Sequence, residues 1–180
     1  DLIDVSIAEC IYAGIMTDTG SFRFPSTTAK VHLIIAELIK AGVNNHKIHS
    51  LVYDNNSEER LKFIGFALSE RMKLIRNKKT AYFVVSAADL SKFSSKTGDT
   101  EGLVNYALSI EGINFAALMV ERHDAVKLSF RSRGDFSVNE FARRYFEGGG
   151  HKNAAGGKSE MGLLETENKF LEILKHTNII

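Results

Sequence analysis

A run with five glycines in ten residues, Gly148–Gly157, constrains this chain more than any other stretch of its sequence. Ordering so many glycines costs much backbone entropy, which a plain connecting loop rarely requires. The pattern is typical of a segment that passes close to a ligand and presents backbone N–H groups to an anion. His151 adds a ring that donates to phosphate or stacks on a base. The alternative interpretation is a helix stop followed by a flexible linker.

The segment at 125–133 alternates apolar and polar residues, as a strand with two unlike faces does. The apolar face comprises Val126, Leu128 and Phe130, and the polar face comprises Lys127, Ser129, Arg131 and Arg133. Guanidinium groups match the oxygens of phosphate in paired hydrogen bonds, so the polar face is a candidate phosphate grip. An outer strand with a solvated basic face would show the same pattern.

Asp18 follows an apolar helical pattern directly, within the segment Gly14–Phe22. An anion at the C-terminal end of a helix opposes the helix dipole. Either the Asp18 side chain caps the turn at Thr19 and Gly20, or a bound cation offsets the unfavourable charge. Both interpretations stay open on these residues alone.

The hydrophobic pattern changes near residues 76–79, from helical spacing before this point to a mixture of strands and helices after it. We predict helices at 2–16, from about 28 to 41, at 45–53, at 57–75, 101–109, 137–146 and 164–175, and strands at 82–85, 113–121 and 125–133. The helix at 2–16 is expected to be mainly buried.

Overall composition excludes little. The 180 residues include 23 Lys+Arg and 22 Asp+Glu, so any binding site for a polyanion must be a local cluster. No apolar stretch approaches the length of about 20 residues needed to cross a bilayer. Cys10 is the only cysteine, which excludes a disulfide within the chain and favours a reducing, cytoplasmic setting.

Three of these segments together resemble the DHH phosphoesterase family. Gly14–Phe22, read Gly-Ile-Met-Thr-Asp-Thr-Gly-Ser-Phe, is similar to the family's last metal-binding motif. Ser129–Ser132, followed by the glycine run, is similar to the signature of the DHH-associated C-terminal domain. The nearest subgroup is the bacterial oligoribonuclease (nanoRNase) and 3′-phosphoadenosine 5′-phosphate phosphatase type.

The resemblance implies an α/β fold in two parts. Residues 1–56 would be the helical end of a DHH phosphoesterase lobe, 57–79 a linker helix and break, and 80–180 an α+β DHH-associated domain with a mixed sheet. It implies that Asp18 is a metal ligand. The implied substrate contacts, with Arg133 added from the polar face of the strand, are Ser129, Arg131, Arg133, Gly148, Gly149, Gly150 and His151.

The resemblance also implies an activity, which is hydrolysis of short oligoribonucleotides or phosphorylated adenosine nucleotides with two Mn²⁺ ions. The family's Asp-His-His triplet is absent from this sequence, and we expect the catalytic residues upstream of Asp1 and no activity from this chain alone. Two alternatives are a cyclic-dinucleotide phosphodiesterase and a non-catalytic RNA-binding module like the one attached to alanyl-tRNA synthetases. A homodimer is compatible with the sequence, which does not specify the oligomeric state.

Overall fold

The structure, a computed structural model, describes residues 3–179. The chain divides into two compact units, Asp1–Asn56 and Ser57–Ile180. The first unit is helical, and the second combines helices with a six-stranded mixed sheet. The predicted α/β fold class is confirmed.

Three helices build the first unit: α1 (Val5–Asp18), α2 (Ala29–Lys40) and α3 (Asn45–Tyr53). A polar side chain caps the N-terminus of each helix by accepting a hydrogen bond from a backbone N–H three residues on, as Asp4 does from Ile7 at 2.8 Å. The buried apolar residues of this unit are Ala8, Tyr12, Met16, Ile35, Leu38, Val43 and Ile48.

The expectation that the first helix is mainly buried is wrong for the chain as described. Ala8, Tyr12 and Met16 recur every four residues and form one narrow buried stripe. Ile7 and Ile11 lie outside that stripe and are 45% and 37% exposed. Leu2, which we placed in this helix, lies outside the described residues, and α1 begins at Val5.

The second unit contains five helices and six strands among the described residues. The helices are α4 (Glu58–Phe66), α5 (Ala87–Lys92), α6 (Leu103–Leu108), α7 (Val138–Tyr145) and α8 (Leu163–Lys175). The strands are β1 (Met72–Ile75), β2 (Thr80–Val85), β3 (Phe115–Glu121), β4 (Val126–Ser132), β5 (Glu147–His151) and β6 (Ala154–Ser159). Their order across the sheet is β1-β2-β3-β4-β6-β5, and the β2–β3 pair is parallel while the other pairs are antiparallel.

Alternate residues of β2 and β3 supply two cores, one on each face of the sheet. On one face Phe115, Ala117 and Met119 join the apolar residues of β4 and pack against α7 and α8. On the other face Ala116, Leu118 and Val120 pack against α4, α5 and α6. No residue of β4, β5 or β6 belongs to this second core, as far as the described residues show.

The long helix predicted at 57–75 is shorter than expected. Regular α-helix ends at Phe66, residues 67–71 form one wider helical turn, and Met72–Ile75 forms β1. The strand pairs with the apolar strand β2, with Met72 opposite Phe83. Met72 packs against one core and Ile75 against the other. Pairing with β2 and packing on both cores favour a strand here over a further turn of helix.

Across residues 3–179, no helix combines the length and the apolar character that a membrane span requires.

Candidate anion-binding face of the second unit

Strand β4 presents two unlike faces, as its sequence predicts. Val126, Leu128 and Phe130 are buried in the core under α7 and α8. On the opposite face Ser129 and Arg131 are half-buried and Lys127 is exposed. On that side, the strands that supply buried residues to the core with α4, α5 and α6 are β2 and β3, as far as residues 3–179 show. The polar residues of β4 therefore lie beside that core rather than within it.

Arg131 is a partly buried cation that has no carboxylate partner among residues 3–179. Its Nη1 donates to the carbonyl oxygen of the preceding residue, Phe130, at 2.9 Å. No ion pair joins Arg131 to any Asp or Glu within residues 3–179. Burial lowers the pKa of this guanidinium, which nevertheless stays charged near neutral pH. An anionic ligand would therefore compensate a charge that the described protein leaves unbalanced.

The strand register brings His151 into the same row as Arg131. Arg131 lies opposite Ala154 on β6, and Ala154 lies opposite His151 on β5. With neighbouring strands about 4.8 Å apart, the Cα atoms of Arg131 and His151 are about 10 Å apart. Ser129 lies in the next row, opposite Gly156, which pairs with Gly149. The residues proposed from two separate segments therefore lie in neighbouring rows of three adjacent strands.

The glycine run is a β-hairpin, β5 and β6, and not the flexible linker of the alternative interpretation. Two of its glycines are required by the hairpin itself. A Cβ atom on Gly148 would lie 2.1 Å from the carbonyl oxygen of Gly156, and one on Gly150 would lie 2.5 Å from that of Ala154. Gly150 also has a φ of +154°. Close backbone packing between the two strands thus accounts for these positions without a ligand.

Gly149 is different, because a Cβ atom there would approach only flexible side chains, with Arg143 Nε at 3.4 Å. The adjacent Gly150 N–H donates to Oδ1 of Asn139 in α7, at 2.9 Å. The N-terminus of α7 therefore holds the glycine-rich strand in place. Asn139 was missed in the sequence, where its only signal is its position two residues after the N-cap Ser137.

A second missed residue, Asn153, ties the hairpin turn to the end of β4. Its Nδ2 donates to Ser132 Oγ at 2.9 Å and to the Gly134 carbonyl oxygen at 3.1 Å. Ser132 Oγ in turn donates to the Phe136 carbonyl oxygen at 2.6 Å. This network fixes the hairpin turn beside the C-terminal end of the strand that carries Arg131.

Arg133 lies outside the face on which its alternation placed it. Strand β4 ends at Ser132, and Arg133 is exposed in the loop that follows, where its backbone N–H donates to the Asn114 carbonyl oxygen at 2.9 Å. The alternation of apolar and polar residues, which we extended to residue 133, ends where the chain leaves the sheet. A contact between Arg133 and a substrate stays a prediction.

Asp18, in the first unit, is the last residue of α1 and is exposed. Thr19, and not Asp18, caps the following turn. The Thr19 Oγ1 donates to the Ile15 carbonyl oxygen at 2.6 Å and accepts from the Phe22 N–H at 3.1 Å. Gly20, Ser21 and Phe22 all have left-handed φ angles, of 57°, 59° and 65°. Within the described chain, the Asp18 carboxylate has no hydrogen-bond or ion-pair partner.

The expected pair of Mn²⁺ ions does not fit the residues that the structure describes. These ions prefer several oxygen or imidazole ligands around each metal. Nowhere in residues 3–179 do three or more His, Cys, Asp or Glu side chains converge. Asp18 alone cannot hold two cations, so its role as a metal ligand stays a prediction.

A cavity of 720 Å³ opens on another part of the second unit, between α7 and the end of α8. Its lining includes Lys152, Arg144 and His176, together with the acidic Asp135 and Glu140. Lys152 already pairs with Asp135 at 2.7 Å. None of Ser129, Arg131, Arg133 or His151 lines this cavity. The candidate face is thus separate from this cavity.

Two curated relatives cover most of the chain. The "Bifunctional oligoribonuclease and PAP phosphatase NrnA" of Bacillus subtilis is 33% identical over 154 residues, which is 86% of this chain and 48% of the relative. The protein of the same name from Thermus thermophilus is 32% identical over 165 residues, covering 87% of this chain and 48% of the relative. The chain therefore spans about half the length of the curated relatives that it matches.

A solved structure shows the same fold. An exopolyphosphatase-related protein from Bacteroides fragilis is 37% identical and superimposes with a TM-score of 0.91, over 97% of this chain and 51% of that one. The family model of the DHHA1 domain matches residues 77–178, which include the whole candidate face. The resemblance predicted from the sequence is confirmed, and the chain belongs to the DHHA1 domain family.

Proposed function

We propose that this chain is the nucleotide-holding part of a metal-dependent phosphoesterase that acts on short oligoribonucleotides or on 3′-phosphoadenosine 5′-phosphate. The observation that carries the proposal is the half-buried Arg131 guanidinium, which has no carboxylate partner in residues 3–179 and lies in one row with Ala154 and His151. The names of the Bacillus subtilis and Thermus thermophilus relatives support this class of substrate.

Each element of the face has a role in this proposal. Arg131 donates to a phosphate through its guanidinium fork, and Ser129 donates from the neighbouring row. His151 donates to a phosphate oxygen or stacks on the base. Asn139 and Asn153 are positioning residues, since their side-chain hydrogen bonds tie the hairpin to α7 and to the end of β4.

In this proposal the face around Arg131 binds the nucleotide and does not itself hydrolyse it. Two Mn²⁺ ions, where bound, would supply Lewis-acid chemistry, and Asp18 would be one of their ligands. Because the described residues do not form such a site, we expect the 180-residue chain to bind nucleotide without hydrolysing it. A cyclic-dinucleotide phosphodiesterase and a non-catalytic RNA-binding module would use the same grip, and the Asp18 segment favours an enzyme over a binding module.

Calorimetric titration of the 180-residue chain with adenosine 5′-monophosphate tests the grip. Loss of a buried charged hydrogen bond costs about 1.5–3 kcal/mol, so Arg131→Ala should weaken binding by about tenfold to a hundredfold. The matched control is Arg144→Ala, which removes an equal charge from the lining of the 720 Å³ cavity. If Arg144→Ala abolishes binding and Arg131→Ala does not, the nucleotide binds in the cavity and the proposal is wrong.

A further inference from the structure

We propose that Lys127 is a second phosphate contact, so that the polar face of β4 binds a nucleotide strand with at least two phosphates. This inference rests on the proposed function, because it extends the same face. It assigns to Lys127 the preference for an oligonucleotide over a mononucleotide.

The geometry separates Lys127 from Arg131 by a definite distance. Both residues lie on the face of β4 that points away from the core under α7 and α8, with Ser129 midway between them. Four residues of antiparallel strand span about 13 Å between their Cα atoms. Two cations separated along one strand suit two anionic groups of one ligand chain better than a single small anion.

Charge balance distinguishes Lys127 from its neighbour on β6. Lys127 lies opposite Lys158 in the register. The Lys158 ammonium is already paired, with Glu147 Oε2 at 2.9 Å and with Glu160 Oε1 at 3.4 Å. Lys127 is exposed and, in the described part of the chain, forms no ion pair. Strand β4 therefore carries two uncompensated cations on one face, at Lys127 and Arg131.

Access to this face is consistent with a long ligand. Among residues 3–179, the core formed with α4, α5 and α6 contains no residue of β4 or β6, and the rows of Ser129 and Arg131 continue across Gly156 and Ala154. On β6 the small residues Gly156 and Ala154 leave room beside Ser129 and Arg131, and Lys127 lies opposite the paired Lys158. A sugar-phosphate backbone running along β4 would pass Arg131, Ser129 and Lys127 in turn.

The test compares two ligands, adenosine 5′-monophosphate and the 5′-phosphorylated diadenylate pApA, with the full 180-residue chain. Lys127→Gln should weaken binding of pApA by about two- to tenfold and leave binding of the monophosphate unchanged. Because each phosphate contact on a single strand contributes about 0.7 to the slope of log affinity against log salt, that slope should fall by about 0.7 for pApA. Lys127→Glu should weaken binding of pApA further than Lys127→Gln does.

Lys175→Gln is the matched control. Lys175 is exposed on α8, which packs on the opposite face of the sheet, and its removal changes the net charge equally. Equal losses for both ligands with Lys127→Gln, or no loss for pApA, would overturn the second contact. Arg131→Ala separates this outcome from failure of the proposed function: it should weaken both ligands, and if it weakens neither, the grip itself is wrong.

Discussion

The Arg71 guanidinium holds the Asp89 carboxylate through two hydrogen bonds, 2.9 Å from Nε to Oδ2 and 2.8 Å from Nη2 to Oδ1. Asp89 also closes the N-terminus of α5, where its Oδ2 accepts from the Ser86 N–H at 3.0 Å. The side chain of Asp89 is 8% exposed. One buried carboxylate therefore joins the end of the α4 segment to the helix that follows β2.

Asp89→Asn should destabilise the second unit by about 1.5–3 kcal/mol, because the buried carboxylate that pairs with the part-exposed Arg71 guanidinium is replaced by a neutral amide. Urea unfolding monitored by circular dichroism measures the change. Asp135→Asn is the control, since Asp135 pairs with Lys152 at an exposed position and its replacement should cost much less than that of Asp89. Equal effects of the two substitutions would contradict this account.

The same pair predicts how stability depends on pH. The hydrogen bond from Arg71 is the main cause that lowers the pKa of Asp89 from 3.8 to about 2. A carboxylate with a depressed pKa in the folded state stabilises the fold above its ordinary pKa, and this stabilisation is lost as pH falls from about 4 to 2. The contribution is roughly 2 kcal/mol. Asp89→Asn should flatten the dependence of the unfolding free energy on pH in this range. An unchanged dependence would show that Asp89 does not cause it.

Two adjacent glycines of β5 should respond differently to alanine. Gly148→Ala forces a Cβ atom to within 2.1 Å of a backbone oxygen, so we expect a loss of about 1–3 kcal/mol in the free energy of unfolding. Gly149→Ala meets only side-chain atoms, Arg143 Nε at 3.4 Å and Asn139 Oδ1 at 3.5 Å, and should cost less than about 1 kcal/mol. The two urea midpoints give the comparison. Equal losses would mean that glycine at 148 is not required by strand packing.

Asp4 and Asp18 lie at opposite ends of α1. We expect their replacement by alanine to have different effects on stability. Asp4→Ala removes an N-cap and should cost about 1 kcal/mol. Asp18→Ala removes an unpartnered anion from the C-terminal end and should be neutral or stabilising by about 0.3–1 kcal/mol. Thermal unfolding monitored at a helix-sensitive wavelength measures both. A loss of stability in Asp18→Ala comparable to that in Asp4→Ala would indicate a structural cap and weaken the case for a metal ligand.

The sequence predicts well the elements that local patterns control. The alternation of Val126, Leu128 and Phe130 correctly identified β4 and its two faces, and Ser137 correctly marked the start of α7. Strand β1 was missed because Met72 and Ile75 fit a helical spacing as well as a strand, and only pairing with β2 decides between them.

The hairpin was missed for a different reason. Glycine has low β-propensity, so Gly148–Gly150 looks like a loop, yet the close approach of β6 excludes larger residues at two of the three positions. The meeting of Arg131 with His151 depends on the insertion of β6 between β4 and β5. Such strand order is a tertiary property that no local pattern contains.

Mapping the nucleotide on the protein tests the central claim most directly. Amide chemical shifts of the 180-residue chain, recorded during titration with adenosine 5′-monophosphate, should change at residues 129–133 and 148–156. In Arg131→Ala and His151→Ala these changes should disappear while the rest of the spectrum stays that of a folded protein. Changes confined to residues that line the α7–α8 cavity, such as Arg144 and His176, or changes that persist in both variants, would contradict the assignment of β4 and the glycine hairpin as the nucleotide grip.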